Sequence, residues 1–437
     1  MTPKTVLPMY DVVIIGAGAA GLSAALSLIQ SDEFKNAQTE PNILVISKLQ
    51  SLRSHTGSAE GGIAASLGNI EPDNWQWHYY DTIKGSDWLA DQDAVKILAQ
   101  QAPETIINLE RYGVAFSRTD DGHIAQRKFG GHTAQYGKYA TPRAAYAEDR
   151  IGHQILHSLW GQVASRGVQF AEEWYVTDLV VNHKNHSVEG VVAFDTHKGE
   201  IHAIQAKNVI LATGGAGRLF HTTSNSWDLT GDGLALSLQA DLQLEDIEFM
   251  QFHPTGLSDT GILLSEAVRA EGGVLRNSIG EAFMSKYAPE QKDLAARDVV
   301  SRAIMQEIQE GRGVCDPLAQ DPNAAQFVYL DMRDIPQNRI REALPQVLET
   351  VEAYRHLNPS TDLIPIKPTA HYTMGGIPTT TNTEVYFWEN QQRIIIDGLY
   401  AAGECACISV HGANRLGGNS LLDACLFGTK AGKQVAQ

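Results

Sequence analysis

The chain has 437 residues, 43% of them hydrophobic and 19% charged, with 39 glycines and 16 prolines. This composition excludes a disordered chain, and at about 100–200 residues per folding unit the length calls for more than one unit. No apolar run approaches the ~20 residues of a membrane-spanning helix, and a net charge of −17 argues against a nucleic-acid binder, which needs a basic face.

In chain order, the start MTPKTVLPMYDVVIIGAG passes straight into a strand, with no secretory or transit segment. Tyr10 to Ile29 reads as an apolar strand, a glycine turn and an Ala/Leu-rich helix, and Asn42 to Lys48 as a second strand. This is the β-α-β opening of a doubly wound fold. The Ser/Gly/Ala-rich stretch from Leu49 to Asn69 reads as a loop entering a helix, and Asn74 to Gln101 as a helical excursion. Alternation over 174–207 predicts a β-meander that leads into the buried strand of KNVILATGG. From about Gln251, His/Pro/Gly turns and a charged stretch suggest an inserted unit that ends near IPIKPTAHYTMGGIP. The last segment, from Ile394 to Gly428, is again strand, glycine turn and helix. The four cysteines, Cys315, Cys405, Cys407 and Cys425, suggest a reducing compartment. Cys405-Ala-Cys407 has neither iron–sulphur nor zinc spacing, so small buried thiols and no metal site are expected.

Gly16, Gly18 and Gly21 match G-x-G-x-x-G directly after the first strand. The first glycine allows a tight turn, the second a close approach to a pyrophosphate, and the third close packing of helix on strand; Ala20 lies within the same turn. The second strand ends in Ser47-Lys48, with no acidic residue for a ribose, which weakens a nicotinamide reading. Ala212-Thr213-Gly214 and the late Gly398-to-Glu404 segment close two further strands, and the three signals in this order point to FAD. The expected fold is α/β: a Rossmann-like FAD-binding domain in two parts, 1–249 and 368–437, interrupted by an inserted α+β capping domain over 250–367.

Arg53-Ser-His-Thr-Gly-Ser-Ala-Glu-Gly-Gly62 resembles the flavin-attachment segment of the flavoprotein subunits of succinate dehydrogenase and fumarate reductase. FGGHTAQYGK, TGDG at Thr230–Gly233, QFHPTG at Gln251–Gly256, SEAVRAEGG, HYTMGGIP and HGANRLGGNSLLD extend that resemblance over effectively the whole chain. The resemblance implies covalent FAD through His55, with Ser54, Thr56, Glu60, Gly61, Gly62, Asp232, Ser420 and Leu421 completing the cofactor set. It makes His253, Ser265, His371 and Arg415 the carboxylate-binding positions, which would supply the local cations that an anionic ligand needs on a negative protein. Arg297 matches the proton-transferring arginine, and Glu266 and Arg269 match its relay. The implied reaction is trans removal of two hydrogens from succinate, a hydride to the flavin and a proton to Arg297.

Glu60 stands where the dehydrogenases usually carry Gln, and a carboxylate there would disfavour the negative charge of reduced flavin. Ser265 replaces a more frequent Thr but keeps the hydroxyl. The surrounding sequence favours the dehydrogenase branch over fumarate reductase, while His55 argues against the related L-aspartate oxidase. Family members continue with a helical and a C-terminal domain past the residues that match here, so an FAD-binding fragment without turnover is a rival reading. The resemblance further implies an iron–sulphur subunit as electron acceptor, membrane-anchor subunits beyond it, and a peripheral place on the cytoplasmic face of a bacterial inner membrane.

Overall fold

A computed structural model describes residues 5–35, 41–316 and 325–437. The lead-in at residues 1–4, and the part of the inserted unit at 317–324, lie outside the described residues. The opening strand Thr5–Ile15 sits at the centre of an eight-stranded sheet. It pairs in parallel with Ile43–Ser47 on one side and Glu200–Leu211 on the other. Outside these, Gln169–Glu172 and Gln392–Ala401 continue the parallel order. Buried on both faces, these strands read as continuous apolar runs such as ILVIS. The chain departs from the opening strand in both directions, which creates a crevice outside the carboxyl ends. Ile15–Gly16, Ser47–Lys48, Leu211–Gly214 and Ala401–Glu404 are those ends. The glycine-rich segments of the sequence are therefore the rims of adjacent parallel strands.

The meander forms as expected: Trp174–Asn182, Ser187–Asp195 and Glu200–Leu211 run antiparallel. The excursion after Asn74 is two helices, Trp75–Gly85 and Gln92–Arg111, capped by Asn74 and Asp91 side chains. The stretch from Leu49 differs from its expectation. It makes two short 3₁₀ turns, Ser51–Arg53 and His55–Ser58, and a two-residue strand at Ile63–Ala64. Ser54 starts the second turn by accepting the Thr56 N–H, and Gly57, Gly61 and Gly62 follow too closely for a helix to propagate. The hairpin Gln126–Ala134 and Tyr139–Ala145, which carries no clear periodicity, joins Ile63–Ala64 in a three-stranded sheet.

The cap has an apolar core of its own, drawn from Leu257 to Ile366. Its five-stranded sheet begins with Met250–Leu257 and ends with Ile364–Thr373, paired antiparallel, so the chain enters and leaves on neighbouring strands. Cys405, Cys407 and Cys425 are buried, while Cys315 is exposed.

The first helix, Ala19–Gln30, and the last, Asn419–Ala436, pack together through glycines. A Cβ on Gly428 would lie 2.3 Å from the Ala20 carbonyl oxygen, and one on Gly432 2.0 Å from Ser27 Oγ. Gly161, in the exposed face of Ile151–Ala164, has open space instead. Gly428→Ala should therefore cost about 1–3 kcal/mol through overpacking. Gly161→Ala should add about 0.5–1 kcal/mol. Equal denaturation midpoints for the two variants would refute the close approach.

Candidate active site

A cavity of ≈ 800 Å³ lies outside the carboxyl ends of the parallel strands, between them and the cap. That volume lies within the ~300–1,000 Å³ of small-molecule sites. Gly16, Gly18, Ala20, Ser47, Lys48, Ala212, Thr213, Gly214, Asp232 and Glu404 border its strand-rim side. Ser54, His55, Thr56, Glu60, Gly61, Gly62, Ser420 and Leu421 border its middle, and His253, Ser265, Glu266, Arg297, His371 and Arg415 its cap-facing end. Gly21 and Arg269 lie behind the wall. A Cβ at Gly21 would come 1.9 Å from the Gly16 carbonyl oxygen, so this glycine serves the packing of helix on strand.

The strand-rim side suits a dinucleotide. Gly18 begins the first helix without a side-chain cap, and the Thr56 hydroxyl accepts only the Ala19 N–H, at 3.0 Å. The helix end thus presents free N–H groups and a positive dipole end to a phosphate. Lys48 Nζ donates to Asp232 Oδ2 at 2.5 Å and to Thr230 Oγ1 at 2.9 Å, so the acidic group absent from the second strand arrives from a distant segment. Glu404 accepts the Thr373 N–H at 2.9 Å, and burial pushes its carboxyl up to about 7. His55 Nδ1 is buried without a partner, and burial lowers the ring's pKa. A glycine-lined crevice, an open helix terminus and an unpartnered ring nitrogen together fit FAD.

The cap-facing end is cationic. Arg297, first residue of Arg297–Gln309, places Nε and Nη2 2.8 and 2.7 Å from Glu266 Oε2. Glu266 Oε1 accepts the Gly130 N–H at 3.0 Å and lies 3.3 Å from Arg269 Nη2. Burial would raise the Glu266 pKa, but the charges of Arg297 and Arg269 outweigh it and keep the group ionised. The i, i+3 spacing of Glu266 and Arg269 thus becomes a contact, with Glu266 at the start of the short helix Ala267–Ala270. Arg415 donates to Ser420 Oγ at 2.8 Å and lies over the Tyr372 ring at 4.3 Å. Burial, with the repulsion of Arg297, lowers its pKa to about 9.

The Thr255 N–H donates to His253 Nδ1 at 3.3 Å, which leaves the proton on Nε2, a buried atom without a partner. His371 stands edge-on to His253 at 5.1 Å and shares a 2.7 Å hydrogen bond with Ser224 Oγ. Burial first, then the neighbouring arginines, hold both rings neutral.

Gln251 was not singled out in the sequence. Its side-chain oxygen accepts from Arg297 at 3.1 Å and from Arg415 at 3.0 Å, while its amide donates to Asn414 Oδ1 and the Arg415 carbonyl. The residue opens the QFHPTG motif, but only the fold shows that one amide oxygen joins two guanidinium groups. Glu60 also differs in kind from its expectation. Burial first, then the Asp149 charge, holds its carboxyl well above the usual range, and Gln346 donates to it at 3.0 Å. Burial thus works against the negative charge that this residue's letter implies.

A family profile described as FAD binding domain matches residues 11–421. The chain is 47% identical to a succinate dehydrogenase flavoprotein subunit of Coxiella burnetii, over 98% of this chain and 70% of that protein. It is 46% identical to the mitochondrial succinate dehydrogenase [ubiquinone] flavoprotein subunit of rice, over 98% of this chain and 66% of that protein. The chain thus spans about two thirds of the rice relative's length. Among solved structures, E. coli quinol fumarate reductase superposes with a TM-score of 0.89 at 37% identity, over 99% of this chain and 70% of that one. With its glycine-rimmed crevice and cationic cap face, the chain belongs to the FAD-binding flavoprotein subunits of succinate dehydrogenase and fumarate reductase.

Proposed function

We propose that the chain interconverts succinate and fumarate with bound FAD, working chiefly as the flavoprotein subunit of a succinate dehydrogenase. The observation that carries this reading is the cap-facing wall, where Arg297, Arg269 and Arg415 are buried around one ionised carboxylate, Glu266. Such a surplus of buried positive charge suits a ligand with two carboxylates. Arg415 grips one carboxylate through its planar donors, and His253 Nε2 and His371 add neutral donors. Ser265 contributes its hydroxyl from the same buried wall.

When bound, FAD supplies a two-electron acceptor for hydride. Gly16, Gly18, Ala20, Ser47, Lys48, Ala212, Thr213, Gly214, Asp232 and Glu404 hold its dinucleotide portion. Ser54, Thr56, Gly61, Gly62, Ser420 and Leu421 surround the ring, with His55 as the covalent link. In succinate oxidation Arg297 receives the methylene proton while passing one of its own to Glu266 Oε2; fumarate reduction reverses the transfer. Arg269, 3.3 Å from Glu266 Oε1, continues the relay away from the cavity. The raised Glu60 pKa supports the dehydrogenase direction, because burial and the Asp149 charge oppose a fixed anion against reduced flavin. The reading extends to an iron–sulphur subunit and a membrane quinone as onward acceptors, on the cytoplasmic face of a bacterial inner membrane. No helix among the described residues is long and apolar enough to cross a membrane.

Anaerobic addition of succinate should bleach the flavin absorbance, and fumarate should restore it, with aspartate inert. Bound flavin that succinate leaves oxidised would overturn the reading. Arg297→Gln should retain dicarboxylate binding and lose about 10²–10⁴-fold in turnover, the usual contribution of a positioned acid–base. Near-native turnover would remove Arg297 from proton transfer.

Glu60 generates a pH prediction. A carboxyl with a raised folded pKa stabilises fully below its ordinary value of 4.5 and loses that contribution as pH rises towards the folded pKa. Glu60→Gln keeps an acceptor for Gln346 and has no proton to lose. Its melting midpoint relative to the native chain should rise with pH from about 5 upward. A pH-independent difference would show that Glu60 is ionised throughout.

A further inference from the structure

The chain carries a buried polar network that the reaction does not use. Arg143, fully buried, holds Asp73 at 2.7 and 2.8 Å and Asp81 at 2.7 Å. The same guanidinium lies 3.3 Å from His132 Nδ1. A guanidinium can only donate, so Nδ1 is the acceptor and the His132 proton resides on Nε2. Burial, then the charge of Arg143, lowers the ring's pKa to about 3, so His132 is neutral. Its Nε2–H donates to the Gly417 carbonyl oxygen at 2.7 Å.

Gly417 is the junction between the two halves of the site. A Cβ there would sit 3.0 Å from Glu266 Oε2 and 3.5 Å from Arg297 Nη2. Gly418 follows at φ +83°, borders the cavity and caps the helix Asn419–Ala436 without a side-chain bond. In a trans peptide the carbonyl of one residue and the N–H of the next point to opposite sides. With the Gly417 carbonyl turned to His132, the Gly418 N–H is directed away from that ring, and Gly418, which lines the cavity, begins an eighteen-residue helix at its positive end. Ala64 N–H on the Gly418 carbonyl, at 3.1 Å, and His78 on Asn419 Oδ1, at 2.9 Å, secure the adjoining groups.

We propose that His132 is a positioning residue for the flavin: held in one tautomer by Arg143, it orients the Gly417–Gly418 peptide so that this helix end stabilises negative charge on the reduced isoalloxazine. The proposal rests on the FAD reading and not on the identity of the dicarboxylate.

The test uses the full chain purified with its flavin, at measured flavin content, in equilibrium titration against a reference dye without dicarboxylate. His132→Phe removes the donor and should shift the oxidised-to-reduced balance about tenfold towards oxidised flavin, which is ~30 mV for a two-electron couple. His132→Gln, which can both accept from Arg143 and donate to Gly417, should stay within about threefold of the native balance. Thr133→Val cuts the neighbouring hydroxyl bond to Asp81 and should lower the melting midpoint with no change in potential.

A native midpoint in flavin-loaded His132→Phe would overturn the proposal, as would an equal shift in His132→Gln or in Thr133→Val. Should His132→Phe fail to fold, isotope-labelled histidine spectra of the native chain, assigned with His132→Gln, decide the matter. A neutral Nε2–H ring from about pH 5 to 8 is expected, whereas a protonated ring or the Nδ1–H tautomer overturns the proposal. Failure of the succinate reading leaves this measurement intact, and a flat midpoint removes only the role of His132.

Discussion

Three buried guanidinium groups share one carboxylate and one amide oxygen, and the geometry of the site follows from that shortage. Glu266 holds Arg297 directly and lies beside Arg269, and Gln251 Oε1 ties Arg297 to Arg415. Burying charge is tolerable only when it is paired and hydrogen-bonded. Other buried donors of the same wall, among them Arg415 Nε and His253 Nε2, have no hydrogen-bond partner in the protein. On a chain of net charge −17 these cations are concentrated where solvent screening is weakest.

That concentration depends on where the chain crosses between layers. Arg415 comes from the flavin-binding part and Arg297 and Glu266 from the cap, while Gln251 and His371 sit on the paired strands Met250–Leu257 and Ile364–Thr373 that join them. Strands at the junction can thus set the spacing between cap and sheet and the spacing between the arginines together. The cofactor crevice has the same character. Lys48 and Asp232, far apart in the chain, meet at the rims of neighbouring elements, and Gly16 approaches the Ala212 carbonyl so closely that a Cβ would lie 2.1 Å from it.

Neutral groups do as much of the site's work as charged ones. His253, His371 and His132 are all held uncharged by burial and by nearby arginines, and each is thereby available as a directed donor. Glu60 shows the same influence on a carboxyl. Its letter in the sequence reads as a negative charge, while burial and the Asp149 charge push its pKa well above the usual range. The Gly417–Gly418 turn then lies between this neutral network and the ionic one, since a Cβ on Gly417 would meet Glu266 and Arg297 while its carbonyl accepts from His132.

Much of this was legible in the residues themselves. The apolar strand, the spacing of Gly16, Gly18 and Gly21, and the meander before Ala212 determine a doubly wound dinucleotide fold, because steric demands on the backbone are local. The motif segments carry short patterns that resemble a family, and the fold brings most of the residues singled out in them to one cavity. What the sequence could not determine was any property set by surroundings. The protonation of Glu60, the bridging by Gln251, the tautomer of His132 and the position of Arg269 behind Glu266 all depend on burial and on partners hundreds of residues away. Only the tertiary structure decided those, since hydration and Coulomb energy are set by the neighbours a group meets after folding and not by the residues beside it in the chain.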